Sequence, residues 1–178
     1  IARLFNTSRI PVREAITMLE QQGLVTTQRY KGAVVASIAP DEVAEIFDFR
    51  ALVEGTVIKA AVERMSDESR RKARQCHEAF SSSADPMAWG DLNRQFHYTL
   101  YQDSGLPYHL GIVNNALDRI DRYLRAQLML SNGRARAHDE HLAILEACEA
   151  GKADLAADLT RRHILGAKTS LLDHLKRK

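Results

Sequence analysis

Three histidines stand where helices of this chain would bury their apolar sides. His97 sits beside the ridge Leu92, Phe96 and Leu100, with Asn93 one turn ahead of it; His141 shares a face with Ile144, Leu145 and Cys148; His163 lies between Leu159 and Ala167. An unpaired polar group in such a place costs about 1–3 kcal/mol, so each ring needs a partner. Imidazole is the commonest side-chain ligand for zinc, nickel and similar ions, and facing helices of a bundle can build such a site. An Asn oxygen and three imidazole nitrogens would leave coordination positions open to water or to an anionic small molecule. The competing reading is three separate core histidines, each hydrogen-bonded to backbone or to glutamate. Separation in sequence does not choose between them. His138, three residues before His141, is a rival ligand, whereas His77, His109 and His174 read as peripheral or unplaceable.

A second chemistry lies at the front. Thr7–Ser8–Arg9–Ile10–Pro11–Val12–Arg13 places small or polar residues at the start of a helix, with Arg9 and Arg13 one turn apart on the same side. That geometry suits phosphate or guanine contacts along a major groove. Lys31–Gly32 suits the neighbouring minor groove, where glycine lets the backbone come close. Exposed charge is the ordinary fate of Arg and Lys. Charge joined to a helix, a turn and a hairpin is what favours DNA as the partner.

These groups need elements to position them. Ser8 can cap a helix whose apolar positions Val12, Ala15, Ile16 and Leu19 recur at helical spacing, and Gly23 supplies its stop. Leu24–Gln28 and Ala33–Val35, separated by Arg29–Tyr30–Lys31–Gly32, form the pattern of a hairpin. A seam at Ser37 to Asp41 then divides the chain into domains 1–37 and 38–178. Behind it the breaks at Ser66, Asp85–Pro86, Gly105–Pro107, Ser131–Gly133 and Gly151 predict helices over about 41–64, 67–80, 86–103, 108–130, 134–150 and 153–175. The fold class is mostly α: a truncated winged helix-turn-helix followed by an all-α antiparallel helical bundle.

Composition agrees with that division. The chain has 178 residues, 45% of them apolar and 27% charged, enough to bury a core. Residues 1–37 carry five basic and two acidic groups, which leaves 20 basic and 21 acidic behind the seam, so only the front attracts a polyanion. No apolar run approaches the roughly 20 residues of a membrane span and no leader is visible, so the expectation is a cytoplasmic protein without membrane contact. Cys76 and Cys148 are too few for a disulfide framework and read as reduced. The chain reads as opening at Ile1 inside a helix, so residues are expected to be missing ahead of it.

The stretch Ala2–Arg3–Leu4–Phe5–Asn6–Thr7–Ser8–Arg9–Ile10–Pro11–Val12–Arg13–Glu14–Ala15, continued by Leu19–Glu20, Gly23–Leu24–Val25 and Gly32, resembles the GntR superfamily winged helix. The resemblance implies operator DNA bound by a homodimer at a short inverted repeat, with Arg9 and Arg13 on the recognition helix and Gly32 in the wing. By that resemblance, the first helix and the start of the second are expected ahead of Ile1. Farther on, Arg50–Ala51–Leu52–Val53–Glu54, Asn93–Arg94–Gln95–Phe96–His97, Glu140–His141–Leu142–Ala143–Ile144–Leu145 and Arg162–His163 resemble the effector-binding domain of the FadR branch, called FCD. Many such domains bind a divalent metal through an acidic residue and three histidines. The resemblance thus implies a divalent ion, zinc or nickel first, on Asn93, His97, His141 and His163. Asn93 stands where aspartate is frequent, so the ligand set is neutral and the expected affinity is weaker or leans more heavily on an anionic effector.

Arg50 interrupts the apolar stripe Val43, Ile46, Phe47, Val57 and Ala61 and requires an anion. Glu54, one turn on, offers an internal ion pair; an effector carboxylate in a bidentate fork is the functional alternative. Arg119 and Tyr123 on the long fourth helix of the bundle are further candidates for the effector cavity, although Asp118 and Asp121 favour a solvated face for Arg119 and Arg122. The leading expectation is a transcription regulator whose operator affinity is set by a small carboxylate at a metal site. A metal-ion sensor is one alternative. A metalloenzyme is the other, since such an ion could activate water, but no general base at motif spacing and no GxSxG, HExxH or phosphate-loop pattern accompanies it.

Overall fold

A glycine in the left-handed region ends the first helix. The computed structural model describes residues 1–21, 23–36, 38–130 and 133–176, and it divides into two compact units, Ile1–Ala39 and Pro40–Lys178. In the first unit α1 (Arg9–Gln21) stops where Gly23 takes φ +70°. The Gly23 amide donates to the Glu20 carbonyl at 3.0 Å and the Leu24 amide to the Leu19 carbonyl at 2.9 Å, the paired bonds of a Schellman motif. Before α1, where the end of a helix was expected, the chain instead makes turns, because Asn6 takes φ +48° and the Thr7 amide bonds the Ala2 carbonyl at 3.0 Å. After it, β1 (Val25–Gln28) and β2 (Gly32–Val35) pair antiparallel, Val25 opposite Val35 and Gln28 opposite Gly32. Glu20 Oε1 accepts the Thr27 amide at 2.9 Å and ties the hairpin to the helix.

Among the described residues the second unit is a bundle of six helices: α2 (Pro40–Val62), α3 (Asp67–Ser82), α4 (Trp89–Tyr101), α5 (Pro107–Leu130), α6 (Gly133–Glu149) and α7 (Ala153–Lys176). Their ends follow local chemistry. Ser66 caps α3 by accepting the Ser69 amide at 3.1 Å, and Asp103 in turn accepts the Ser66 amide at 3.0 Å. Gly151, at φ +67°, closes α6 with the same paired bonds as Gly23: its own amide to Cys148 and the Lys152 amide to Ala147.

Two corrections to the expected boundaries have physical causes. The helix expected from residue 86 begins at Trp89, because Asp85 Oδ1 accepts the Met87 amide at 2.9 Å and closes a turn of its own. The Ala88 and Trp89 amides then bond three residues back rather than four. Its far end, expected at 103, lies at Tyr101, where the chain tightens into a 3₁₀ turn over Gln102–Ser104. The expected break at Ser131–Gly133 falls partly on Ser131 and Asn132, and the seam partly on Ser37, which lie outside the described residues.

Val57, Ile58, Phe96, Leu100, Ile144, Leu145 and Ala156 are fully buried together and join α2, α4, α6 and α7. Each buried large side chain contributes about 1.5–3 kcal/mol, so these four helices form a fixed frame. Among the described residues no helix is long and apolar enough to cross a membrane.

Candidate metal centre

The frame turns three imidazoles toward one point. His97 of α4, His141 of α6 and His163 of α7 are all buried, and each offers a ring nitrogen within 4.8 Å of the others. The ring centroids are 4.9 Å apart for His97 and His141, 5.1 Å for His97 and His163, and 4.8 Å for His141 and His163. Three imidazoles on one ion, with metal to nitrogen bonds of about 2.0–2.1 Å, bring ring centres to roughly 4.5–5.2 Å. The residues therefore fit a cation in size and in donor type.

The hydrogen bonding fits as well. His97 Nε2 and both nitrogens of His141 are buried with no partner among the described residues. His163 Nδ1 lies 2.7 Å from Glu140 Oε2; a carboxylate only accepts, so the ring donates from Nδ1. That leaves the His163 Nε2 lone pair for a ligand bond, as metal-binding histidines usually arrange it. Burial holds His97 and His141 well below the ordinary imidazole range, reinforced by His163 beside both, and by Arg50 near His97. Protons consequently compete weakly for these nitrogens.

Arg50 has found its anion inside the protein. Its Nε donates to Glu54 Oε1 at 2.7 Å, and the two side chains are 5% and 0% exposed. Glu54 Oε2 also accepts the Tyr101 hydroxyl at 2.8 Å, and His97 Nδ1 lies 3.2 Å from that hydroxyl. Burial, and then the Glu54 charge, holds the Tyr101 phenol well above its ordinary value, so it stays a donor.

A cavity of about 20 Å³ lies against the histidines, lined by Arg50, Asn93, His97, Gln127, Arg136 and His163 among others. Asn93 also lines an adjoining cavity of about 10 Å³ with Arg50, His97 and Asp121. A space of this size admits one water or one ion. An organic acid entering it must displace side chains.

Of the expected site residues, Asn93, His97, His163 and Arg50 share this cavity, with His141 behind them against Phe80 and Phe96. Arg119 and Tyr123 line neither cavity. Arg119 pairs with Glu42, and the Tyr123 hydroxyl accepts from Arg122 Nη2 at 2.8 Å beneath the same guanidinium. His138 stands apart from the triad, its Nδ1 2.7 Å from Ser81 Oγ. His77 is buried rather than peripheral, stacked on His138 at 5.1 Å with Nε2 3.3 Å from the His138 carbonyl oxygen. Both cysteines are free; burial, then Glu149, pushes the Cys148 thiol up to about 12. Sequence reasoning missed Gln127, Arg136, Glu140 as the partner of His163, and Tyr101. For Tyr101 a signal existed, since it follows His97 by one helical turn just as Asn93 precedes it.

In the first unit, Arg9 and Arg13 are exposed one turn apart on α1, with exposed Thr7 and Ser8 just ahead. Lys31 and Gly32 end the hairpin. A Cβ at Gly32 would meet nothing within 4 Å, so glycine is needed there for its φ of +75° rather than for space.

Residues 1–35 match the model described as bacterial regulatory proteins, gntR family, and residues 45–166 match the FCD domain. The chain is 31% identical over 166 residues to the HTH-type transcriptional repressor GlaR of Escherichia coli (strain K12), covering 87% of this chain and 76% of that protein. Among solved structures it is similar to a transcriptional regulator, a GntR family member, from Pseudomonas syringae pv. tomato str. DC3000, with TM-score 0.71 and 26% identity over 99% of this chain and 76% of that one. Escherichia coli McbR/YncC shares the fold, with TM-score 0.84 and 17% identity over 93% of this chain and 85% of that one. With these matches beside its winged-helix fragment and helical bundle, the chain belongs to the GntR family as a DNA-binding transcription regulator, not an enzyme, of the group that carries an FCD domain.

Proposed function

We propose that the helical domain, residues 38–178, holds a divalent cation, zinc or nickel first, on His97, His141 and His163 with Asn93 beside them, and that a small carboxylate bound there alters operator affinity. The observation that carries this reading is the set of three buried ring nitrogens, one on His97 and two on His141, that meet no partner among the described residues in a cluster of imidazoles. A neutral imidazole has one lone pair, so a cation would take up one nitrogen of His97 and one of His141. Arg50 and Arg136 line the adjoining cavity and provide the positive charge that would receive the carboxylate. The domain of residues 1–37, in a homodimer, would contact the operator through Thr7, Ser8, Arg9, Arg13, Lys31 and Gly32. Control requires that the ligand bind two dimer arrangements with different affinity, because equal affinity shifts nothing.

The small cavity favours one further reading, in which the ion itself is the signal. Chelator titrated against operator affinity in the absence of any acid separates the two: a sensor changes affinity with metal alone, whereas a structural ion matters only once the acid is added. Metal content per chain, by elemental analysis of wild type, His97→Ala and His163→Ala, tests the ligand set. Both variants should lose the ion and the acid response together. Unchanged content in both variants means that the ion lies elsewhere.

A further inference from the structure

Arg50, Glu54, Tyr101 and His97 form one hydrogen-bonded row across α2 and α4, every member buried, with links of 2.7, 2.8 and 3.2 Å. We propose that Glu54 and Tyr101 are positioning residues for the cation: together they decide which nitrogen of His97 carries the proton and leave the other free to bind metal. The role in binding rests on the metal reading above, whereas the row and its proton order do not.

The order follows from donor and acceptor capacity. The Glu54 carboxylate can only accept, so the single hydroxyl proton of Tyr101 points to Oε2. The Tyr101 oxygen, its proton spent on Glu54, can meet His97 Nδ1 only as an acceptor. The bond between them therefore needs the proton on Nδ1, and the neutral ring carries its lone pair on Nε2. Nε2 is the His97 nitrogen that is buried beside His141 and His163 without a partner among the described residues. The opposite tautomer would set two acceptors against each other at Nδ1 and aim an N–H into the ligand cluster.

Glu140 does the same directly for His163, 2.7 Å from its Nδ1. Two of the three rings are thus fixed from behind, one by a carboxylate and one by a carboxylate acting through a phenol. Among the described residues His141 has no such bond on either nitrogen, so it is the ligand whose tautomer the ion must choose. Glu54 also belongs to Arg50, which lines the cavity. An anion that draws the guanidinium away weakens the hold on Glu54, and the carboxylate site and the ion site therefore share one row of hydrogen bonds.

The test uses the full chain stripped of metal and labelled with ¹⁵N at histidine. Long-range ¹H–¹⁵N correlations should show His97 protonated on Nδ1 and bare on Nε2. Tyr101→Phe should erase that preference, leave the His163 tautomer unchanged, and lower Zn²⁺ affinity by about 10–100-fold. Wild-type His97 protonated on Nε2 would overturn the proton order without need of any variant. Zinc uptake by the wild type that Tyr101→Phe leaves unaltered would overturn the positioning role alone. Failure of the wild type to bind zinc, with His97 protonated on Nδ1, would overturn the metal reading and the positioning role with it while leaving the proton order intact.

Discussion

The His141 ring stacks on Phe96 with centroids 4.4 Å apart and planes 28° from parallel, while neither of its nitrogens meets a hydrogen-bond partner among the described residues. Aromatic packing therefore holds the ring, but its polar atoms are left uncompensated at a cost of about 1–3 kcal/mol. Leucine has a similar volume and no such atoms. His141→Leu is expected to leave the metal-free protein as stable as the wild type or up to about 2 kcal/mol more stable. The same change should remove the stabilisation by zinc, which for a native-state ligand at a hundredfold excess over Kd is about 2.7 kcal/mol. Thermal unfolding with chelator and with zinc measures both. A variant that zinc stabilises as strongly as it does the wild type would show that His141 is not a ligand.

Acid should destabilise the metal-free protein in a defined window. His77, His97 and His141 are all held below the usual value, with burial as the first cause. In the unfolded chain they titrate near their ordinary value of about 6.5. Between the folded and unfolded values the unfolded chain binds more protons, so stability rises with pH there and falls as the pH drops. Urea unfolding of the metal-stripped protein should thus give a midpoint independent of these groups above about pH 7.5 and a progressive loss below about pH 6.5. His141→Leu removes one of the three protons taken up and should make the decline shallower. An equal slope in the two proteins would mean that His141 titrates normally when buried.

What could be read in the sequence was whatever depends on local spacing. Asn93 and His97 sit one turn apart on one helix, and Arg50 and Glu54 on another; the i, i+4 rule pairs each without knowledge of the fold. Gly23 and Gly151 announced their helix ends because a left-handed residue is required there. Contacts that depend on how one helix slides along another were not legible. Glu140 reaches His163 on α7, and Tyr101 reaches Glu54 on α2, through a register that sequence separation does not encode. The same holds for Arg119, which meets Glu42 on α2 rather than the cavity, and for His77, whose burial is supported by a backbone carbonyl of α6. Asp85 could equally cap a helix or close a turn, and the turn prevailed because its carboxylate takes the Met87 amide.

Salt dependence tests the front of the chain. Arg9 and Arg13 project from the same side of α1 and both are exposed, which places two fixed positive charges one helical turn apart. Each phosphate that such a side chain neutralises releases condensed counterion, so the slope of log K against log salt is steeper by about 0.9 for every phosphate held. Arg13→Ala should weaken binding to a DNA site selected from random sequence and flatten that slope by about 0.9 if Arg13 holds one phosphate. If instead affinity drops for the selected site alone, with the slope retained, Arg13 contacts a base edge, since a base contact discriminates between sequences without releasing phosphate counterions. Unaltered affinity for both selected and random DNA would remove Arg13 from the interface and leave Arg9 as the residue on that face of α1 to substitute next.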